Sequence, residues 1–450
     1  MYKSVLKRGG AAVAAASMLV GVAACGSSNS TAPATSDNGK TEITLWSWDT
    51  NQDMIDLFEK NNPDITVKLV NAGTNKDEYT AINNAIAAGS GAPDIAQIEY
   101  YALSEYAIKG ELEDLTQFGA KDYKDFYTPG TWSSVNIADG VYGLPMDSGP
   151  MAFFYNKEVF DKAGVTEAPK TWDEFYEAAK KIKAIGSYIV NDTGDAGFYD
   201  SMVWQAGGHP FKTSKDGSTV TINLTDDPGA KKWTEYWQRM IDEGLIDTKT
   251  SSWSDDWNRG LGDGSIAAML TGAWISINLA TNSPQATGKW RVAQLPQWEA
   301  GQTANSENGG SSIAMIKSND DAKKKAAWKY MEFVSHNTKG TDYRVSLGAF
   351  PSDTKSLERK DFLDMTTVTA NKQQVEYFGG QKYNEELATA AKNVVTGYEF
   401  LPFEVYARSI FTDTAGKAFN GQGSLSDGVK EWQDKLVQYA KDQGFTVNTK

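Results

Sequence analysis

The sequence predicts an α/β protein of two lobes, from its length, its composition and the order of its local patterns. At 450 residues the chain exceeds what one ordinary hydrophobic core organises, so a division into two bodies is expected. Its composition, 40% hydrophobic and 23% charged with 13 prolines, is that of a folded globular protein. From residue 42 onward, strand patterns alternate with helix patterns, and such alternation implies parallel pairing within a sheet.

Ile43 and Leu45 alternate with polar neighbours, and Met54, Leu57 and Phe58 then mark a helix. Ile65, Val67 and Leu69 alternate again, Ile82, Ala85 and Ile86 return to helical spacing, and Asp94 to Ile98 forms a short buried strand. Thr171-Trp172-Asp173-Glu174, just after Pro169, is a capping box opening a helix to about Ile185. Apolar stripes predict further helices after Pro228 (Ala230, Trp233, Trp237, Met240), after Ser318 (Ala326, Tyr330, Met331, Val334) and from Ser426 to about Gln443. The apolar extended segments Met151–Tyr155 and Ser312–Ile316 have the character that a crossing between lobes requires.

The first forty residues are of a different kind. Lys3, Lys7 and Arg8 precede an apolar run from Ala11 to Val22 that is too short for a spanning helix and ends in small residues, so residues 1–24 read as a secretory signal. The only cysteine, Cys25, follows Val22-Ala23-Ala24, a boundary resembling the lipobox of bacterial lipoproteins. Cys25 is the expected lipid attachment point, and the Ser/Thr/Asn/Ala-rich stretch to residue 40 a flexible linker. Such an anchor is the expected membrane contact, on the outer face of the cell membrane.

Composition excludes much chemistry. With one cysteine, neither internal disulfides nor Cys-based zinc sites are possible, and two histidines leave no HExxH motif. No nucleophile elbow or phosphate loop is present, and no cofactor or metal is implied. A formal charge of −14 argues against nucleic acid as a partner. A pair of carboxylates at glycosidase separation is available to any acidic chain, which keeps a secreted glycoside hydrolase as the alternative, beside a sugar-sensing lipoprotein.

Aromatic and polar residues recur where strands end. Trp46-Ser47-Trp48-Asp49 closes the first strand and Glu99-Tyr100-Tyr101 the strand at Asp94–Ile98. Open α/β sheets bind ligands at such carboxyl ends. A pyranose suits these side chains, because its C–H face stacks on an aromatic ring while carboxylates and amides take its hydroxyls. Trp253 and Trp257 lie four apart, so a helix would put both on one face. Many aromatics and few basic residues expected in a cleft favour a neutral oligosaccharide.

Phrases in order along the chain carry a family resemblance. They include Ile43-Thr44-Leu45-Trp46-Ser47-Trp48, Gly91-Ala92-Pro93-Asp94-Ile95 and Tyr142-Gly143-Leu144-Pro145-Met146-Asp147. Phe154-Tyr155-Asn156-Lys157-Glu158-Val159-Phe160, Gly272-Ala273-Trp274 and Gly309-Gly310-Ser311 continue the series. Together they resemble the extracellular solute-binding proteins of carbohydrate ABC importers, the branch that includes maltose-binding protein and Gram-positive lipoproteins. The resemblance implies a two-lobe periplasmic-binding-protein-like (type II) fold with sugar held between the lobes, a monomer, and delivery to importer permease subunits by hinge closure. It implies an N-terminal lobe of residues 41–150 plus 310–352 and a C-terminal lobe of 151–309 plus 353–450. Crossings are expected near Pro150–Met151, Gly309–Gly310 and Ala349–Asp353. Carried over by position, the ligand contacts are Trp48, Asp49, Glu99, Tyr100 and Asp147 from one lobe. Trp204, Trp253, Trp257 and Trp274 come from the other, Gly309 and Gly310 lie at the crossing, and Tyr377 is a further candidate. Trp46 is expected to point into the core if Trp48 faces the cleft.

Overall fold

The alternation of Ile43 and Leu45 with half-exposed neighbours produces a strand with one fully buried face, and the other predicted strands assemble around it. The computed structural model describes residues 39–450, all within one compact unit. The expected signal at 1–24, Cys25 and most of the 25–40 linker lie outside the described residues. The principal strands are β1 (Thr41–Trp46), β2 (Ile65–Val70), β3 (Ile95–Glu99), β4 (Leu144–Pro145), β5 (Met151–Asn156), β6 (Ala268–Gly272), β7 (Trp290–Ala293) and β8 (Ser311–Met315). One sheet has the order β2-β1-β3-β8-β4 and a second the order β6-β5-β7.

Within these two sheets, parallel pairing holds only for β1 with β2 and with β3. β8 runs antiparallel to β3 and to β4, and the second sheet is antiparallel throughout. The reason is the path of the chain. β8 enters the first sheet from the end of β7 in the second, not through a helix crossover from β3, so no parallel return is imposed on it.

Helices cover these sheets: α1 (Gln52–Asn61), α2 (Lys76–Ala88), α3 (Tyr100–Ile108), α4 (Trp172–Ala184), α5 (Ala196–Gln205) and α6 (Pro228–Asp242). They continue as α7 (Asp255–Asp263), α8 (Ile275–Asn282), α9 (Asp321–Ser335), α10 (Thr338–Ser346), α11 (Glu404–Ser409) and α12 (Leu425–Asp442). The stripe Tyr330, Met331 and Val334 of α9 packs with Ile43, Leu45, Ile95 and Ile98 in one core. β5 is buried on both faces, which is why it reads as an unbroken apolar run. Met151 and Phe153 face a core holding Trp172, Trp233 and Trp432, while Ala152 and Phe154 face another with Trp290, Tyr377 and Phe378. Met151, Phe153 and Phe154 each contribute about 1.5–3 kcal/mol on burial.

The chain passes between the sheets from β4 to β5, again from β7 to β8, and once more after α10, where Phe350 joins the core of the second sheet. These passages bond to one another. Asn308 N–H donates to Gly149 O at 2.8 Å, Met151 N–H to Ser306 O at 3.0 Å and Ser148 N–H to Phe350 O at 3.1 Å. The apolar segments 151–156 and 311–315 are sheet strands; the passages lie just before each of them.

The capping box is formed at α4. Thr171 Oγ1 accepts from Glu174 N–H at 3.2 Å, and Glu174 Oε2 accepts from Thr171 N–H at 3.3 Å. Removing such a cap costs about 1 kcal/mol. Thr171→Ala is therefore expected to lower the urea-unfolding midpoint with its slope unchanged; an unaltered midpoint would show that Glu174 alone secures the helix start.

Candidate ligand-binding cleft

Between the carboxyl ends of β1 and β3 on one side and α5, α8 and the segment before α7 on the other lies a cleft of about 720 Å³. Trp48, Asp49, Glu99, Asp147, Trp253, Trp274, Gly309 and Gly310 line it. Ser47, at the end of β1, is buried, and the next residues emerge where the strand stops, so Trp48 and Asp49 reach the opening. Trp46 is half-buried and packs against the core of the first sheet.

A buried amide orders this wall. Gln97 Nε2 donates to Asp49 Oδ2 at 2.8 Å and to Ser311 Oγ at 2.9 Å, while its Oε1 accepts from Ser47 Oγ at 2.7 Å. Asp147 Oδ1 accepts from Ser311 N–H at 2.6 Å and from Ser311 Oγ at 3.0 Å. Asn75 adds an acceptor: its Oδ1 is buried without a hydrogen-bond partner, on a residue that lines the cleft.

On the opposite wall Trp274 Nε1 donates to Asn308 O at 2.7 Å, fixing the indole. Gly309, at φ +78°, has backbone so close that an added Cβ would lie 2.9 Å from that nitrogen. Gly310, at φ +93°, would place one 2.6 Å from the Tyr100 ring. Left-handed backbone and close packing together require glycine at both positions. Trp253 stacks on Trp274 with centroids 5.7 Å apart and planes 19° from parallel.

Several expected contacts lie elsewhere. Tyr100 is buried, and its hydroxyl donates to Asp147 O at 2.6 Å; Tyr101 lines the cleft instead. Glu99 is the N-cap of α3, so strand alternation ends there and helical rotation decides which tyrosine faces out. Trp204 is buried, stacked on Tyr398 at 4.9 Å, its Nε1 donating to Val395 O. Tyr377 is fully buried and donates to Ser283 O. Trp257 is buried in α7, with Nε1 donating to Asn191 Oδ1 at 2.8 Å. The expectation of one helix carrying Trp253 and Trp257 fails as well, because Ser254 caps α7 and Trp253 lies before the cap at φ +69°.

Sequence reasoning missed Tyr101, Asp195, Asn308, Arg344 and Arg408, which also line the cleft. Asn308 stands beside the recognised glycine pair, a usable signal. The arginines had none, and they correct the expectation of few basic groups. Arg408 lies 3.8 Å over the Tyr101 ring and pairs with Asp200 at 3.0 Å and Glu404 at 3.3 Å. Burial opposes its charge, but those carboxylates outweigh burial and hold the guanidinium protonated.

Burial raises the Glu99 carboxyl to about 7, against the pull of Arg408 and with the repulsion of Asp147 and Asp49. Burial and the Asp49 charge raise Asp147 to about 6, opposed by Arg344 and the Ser311 bonds. Among the described residues no cluster of His, Cys, Asp and Glu is suited to a metal ion, and no helix is long and apolar enough to cross a membrane.

A polar, aromatic-walled cleft between two α/β bodies is the architecture of a binding protein. The family model for bacterial extracellular solute-binding proteins matches residues 49–338, and the chain belongs to that family: it is a solute-binding protein, not an enzyme. A lactose-binding protein of Rhizobium radiobacter is 29% identical over 289 residues, 60% of this chain and 65% of the relative's own length. Among solved structures, the ABC transporter-associated binding protein of B. animalis subsp. lactis Bl-04, in complex with β-1,6-galactobiose, is 54% identical. It matches with a TM-score of 0.81, covering 91% of this chain and 100% of that one. The galacto-N-biose/lacto-N-biose I-binding protein of Bifidobacterium longum, in complex with lacto-N-biose, is 29% identical with a TM-score of 0.75, covering 92% and 100%.

Glu99 holds its proton more tightly folded than unfolded, its carboxyl rising from 4.5 to about 7. Across that window the folded state binds more protons, so stability falls as pH rises through it. Glu99→Gln imitates the protonated form and should flatten this fall. Urea midpoints at about pH 5, 6 and 7.5 measure it, and an equal decline in both proteins would remove Glu99 as the cause.

Proposed function

We propose that this chain captures a short, neutral, galactose-containing oligosaccharide in the cleft and delivers it to the permease subunits of an ABC importer. The observation that carries this reading is the pairing of stacked indoles, Trp253 and Trp274, with carboxylates held in place across the cleft. Rings take the apolar face of a pyranose, and oriented acceptors take its hydroxyls. The galactosides bound by the relatives at 54% and 29% identity support galactose as the recognised unit. The lobes are 41–150 plus 310–352 and 151–309 plus 353–450, an assignment supported by the membership of the two main sheets. A ligand touching both lobes binds the closed arrangement better than the open one and so drives closure. The protein acts as a monomer, held outside the cell by lipid on Cys25.

Calorimetry with β-1,6-galactobiose, lactose and maltose tests the ligand class. Binding of the galactosides with little or none of maltose is expected; preference for maltose would overturn it. Trp274→Ala should weaken galactobiose binding by about 1 kcal/mol or more, the value of a lost stacking contact. Unchanged affinity in a folded variant would remove Trp274 from the site. Cys25→Ser should release the protein into the medium of producing cells, whereas retention at the membrane would exclude the lipid anchor.

A further inference from the structure

Beside the main cleft lies a second concavity of about 280 Å³ that shares Asp195, Trp253, Trp274 and Asn308 with it. We propose that this side chamber takes a third sugar residue, making the preferred ligand a trisaccharide or longer and not a disaccharide. This rests on the sugar-binding reading of the main cleft.

The chamber has the two-sided character of a pyranose. Phe198, Trp257 and Met269 supply an apolar wall, and the hydroxyl-bearing Thr193, Ser251 and Ser252 lie around it. The Trp257 Nε1 is already committed to Asn191 Oδ1, so this indole has only its apolar surface to offer. The surrounding loop is fixed before any ligand arrives. Asp192 Oδ1 accepts from Gly194 N–H at 2.8 Å and Asp195 N–H at 3.2 Å, and its Oδ2 from Trp237 Nε1 at 2.8 Å.

The path between the two spaces is aromatic. The Trp253 centroid lies 5.7 Å from that of Trp274 and 5.2 Å from that of Trp257, so an indole surface runs from cleft to chamber. Trp253 is 57% exposed and stands at φ +69°, a conformation that bulky side chains rarely adopt. Neither property serves the fold: the side chain buries little, and the backbone is strained. Both are accounted for by an indole held at a junction where successive sugar rings pass.

Calorimetry with β-1,6-galactobiose and β-1,6-galactotriose on the wild type, Thr193→Phe and Ser252→Phe provides the test. The two variants fill the chamber from different segments, and thermal melting confirms that each is folded. The triose should bind the wild type at least tenfold tighter than the biose. Each folded variant should lose that preference while binding the biose as before. Equal affinities in the wild type, or a preference that survives in a folded variant, would overturn the chamber and leave the sugar reading intact. Failure of both sugars to bind the wild type would overturn the sugar reading itself, and the chamber with it.

Discussion

The carboxylate of Asp147 accepts from both the backbone N–H and the hydroxyl of Ser311, and the same hydroxyl accepts from Gln97. Gln97 in turn holds Asp49, so the start of β8, the middle of β3 and the segment after β1 are tied at one place. Gly309 and Gly310 immediately precede Ser311, and the position of Gly309 fixes one edge of the Trp274 slot. The binding wall and the passages between the sheets are therefore a single hydrogen-bonded unit. Polar networks of this kind are specific because every member must be satisfied at once. A shift at Ser311 would be felt both at the acceptors and at the indole.

That arrangement has an electrostatic cost. Asp49, Glu99 and Asp147 converge on one cleft, where burial is the main cost to the charged forms of Glu99 and Asp147 and mutual repulsion adds to it. Arg408 and Arg344 offset part of it from different segments. Arg408 is itself held by Asp200 and Glu404, where burial and the Asp200 charge push the Glu404 carboxyl up and Arg408 pulls it back down. Concentrated acceptors destabilise the empty protein and are what a ligand rich in hydroxyls requires. Under the proposed binding function, this is stability given up at the ligand site.

Much of this was legible in the sequence, for local reasons. Strand alternation located β1, β2 and β3, and strand ends then located Trp48, Asp49 and Glu99. The Gly309–Gly310 pair marked a crowded turn, and the capping box marked α4. What was illegible depended on distant partners. Tyr100 and Tyr101 exchange roles because a helix begins at Glu99 without a loop. Trp204 and Tyr377 look like other aromatics, and only tertiary packing buries them. Trp172, Trp233, Trp237, Trp290 and Trp432 are likewise fully buried, so a high aromatic count reflects core and cleft together. Arg408 reaches the cleft from near the end of the chain, with nothing around it to announce the fact.

The path of the chain also governs when the molecule comes into being. Gln97 meets Ser311 across 214 positions, and β1, first in order, is covered by α9 near residue 330. Neither body is a contiguous stretch, so the first core stays open until most of the polypeptide has been synthesised. Contacts of such long separation close slowly. For a member of an extracellular family that delay is useful: a chain that has not yet collapsed can still be threaded through a translocation pore.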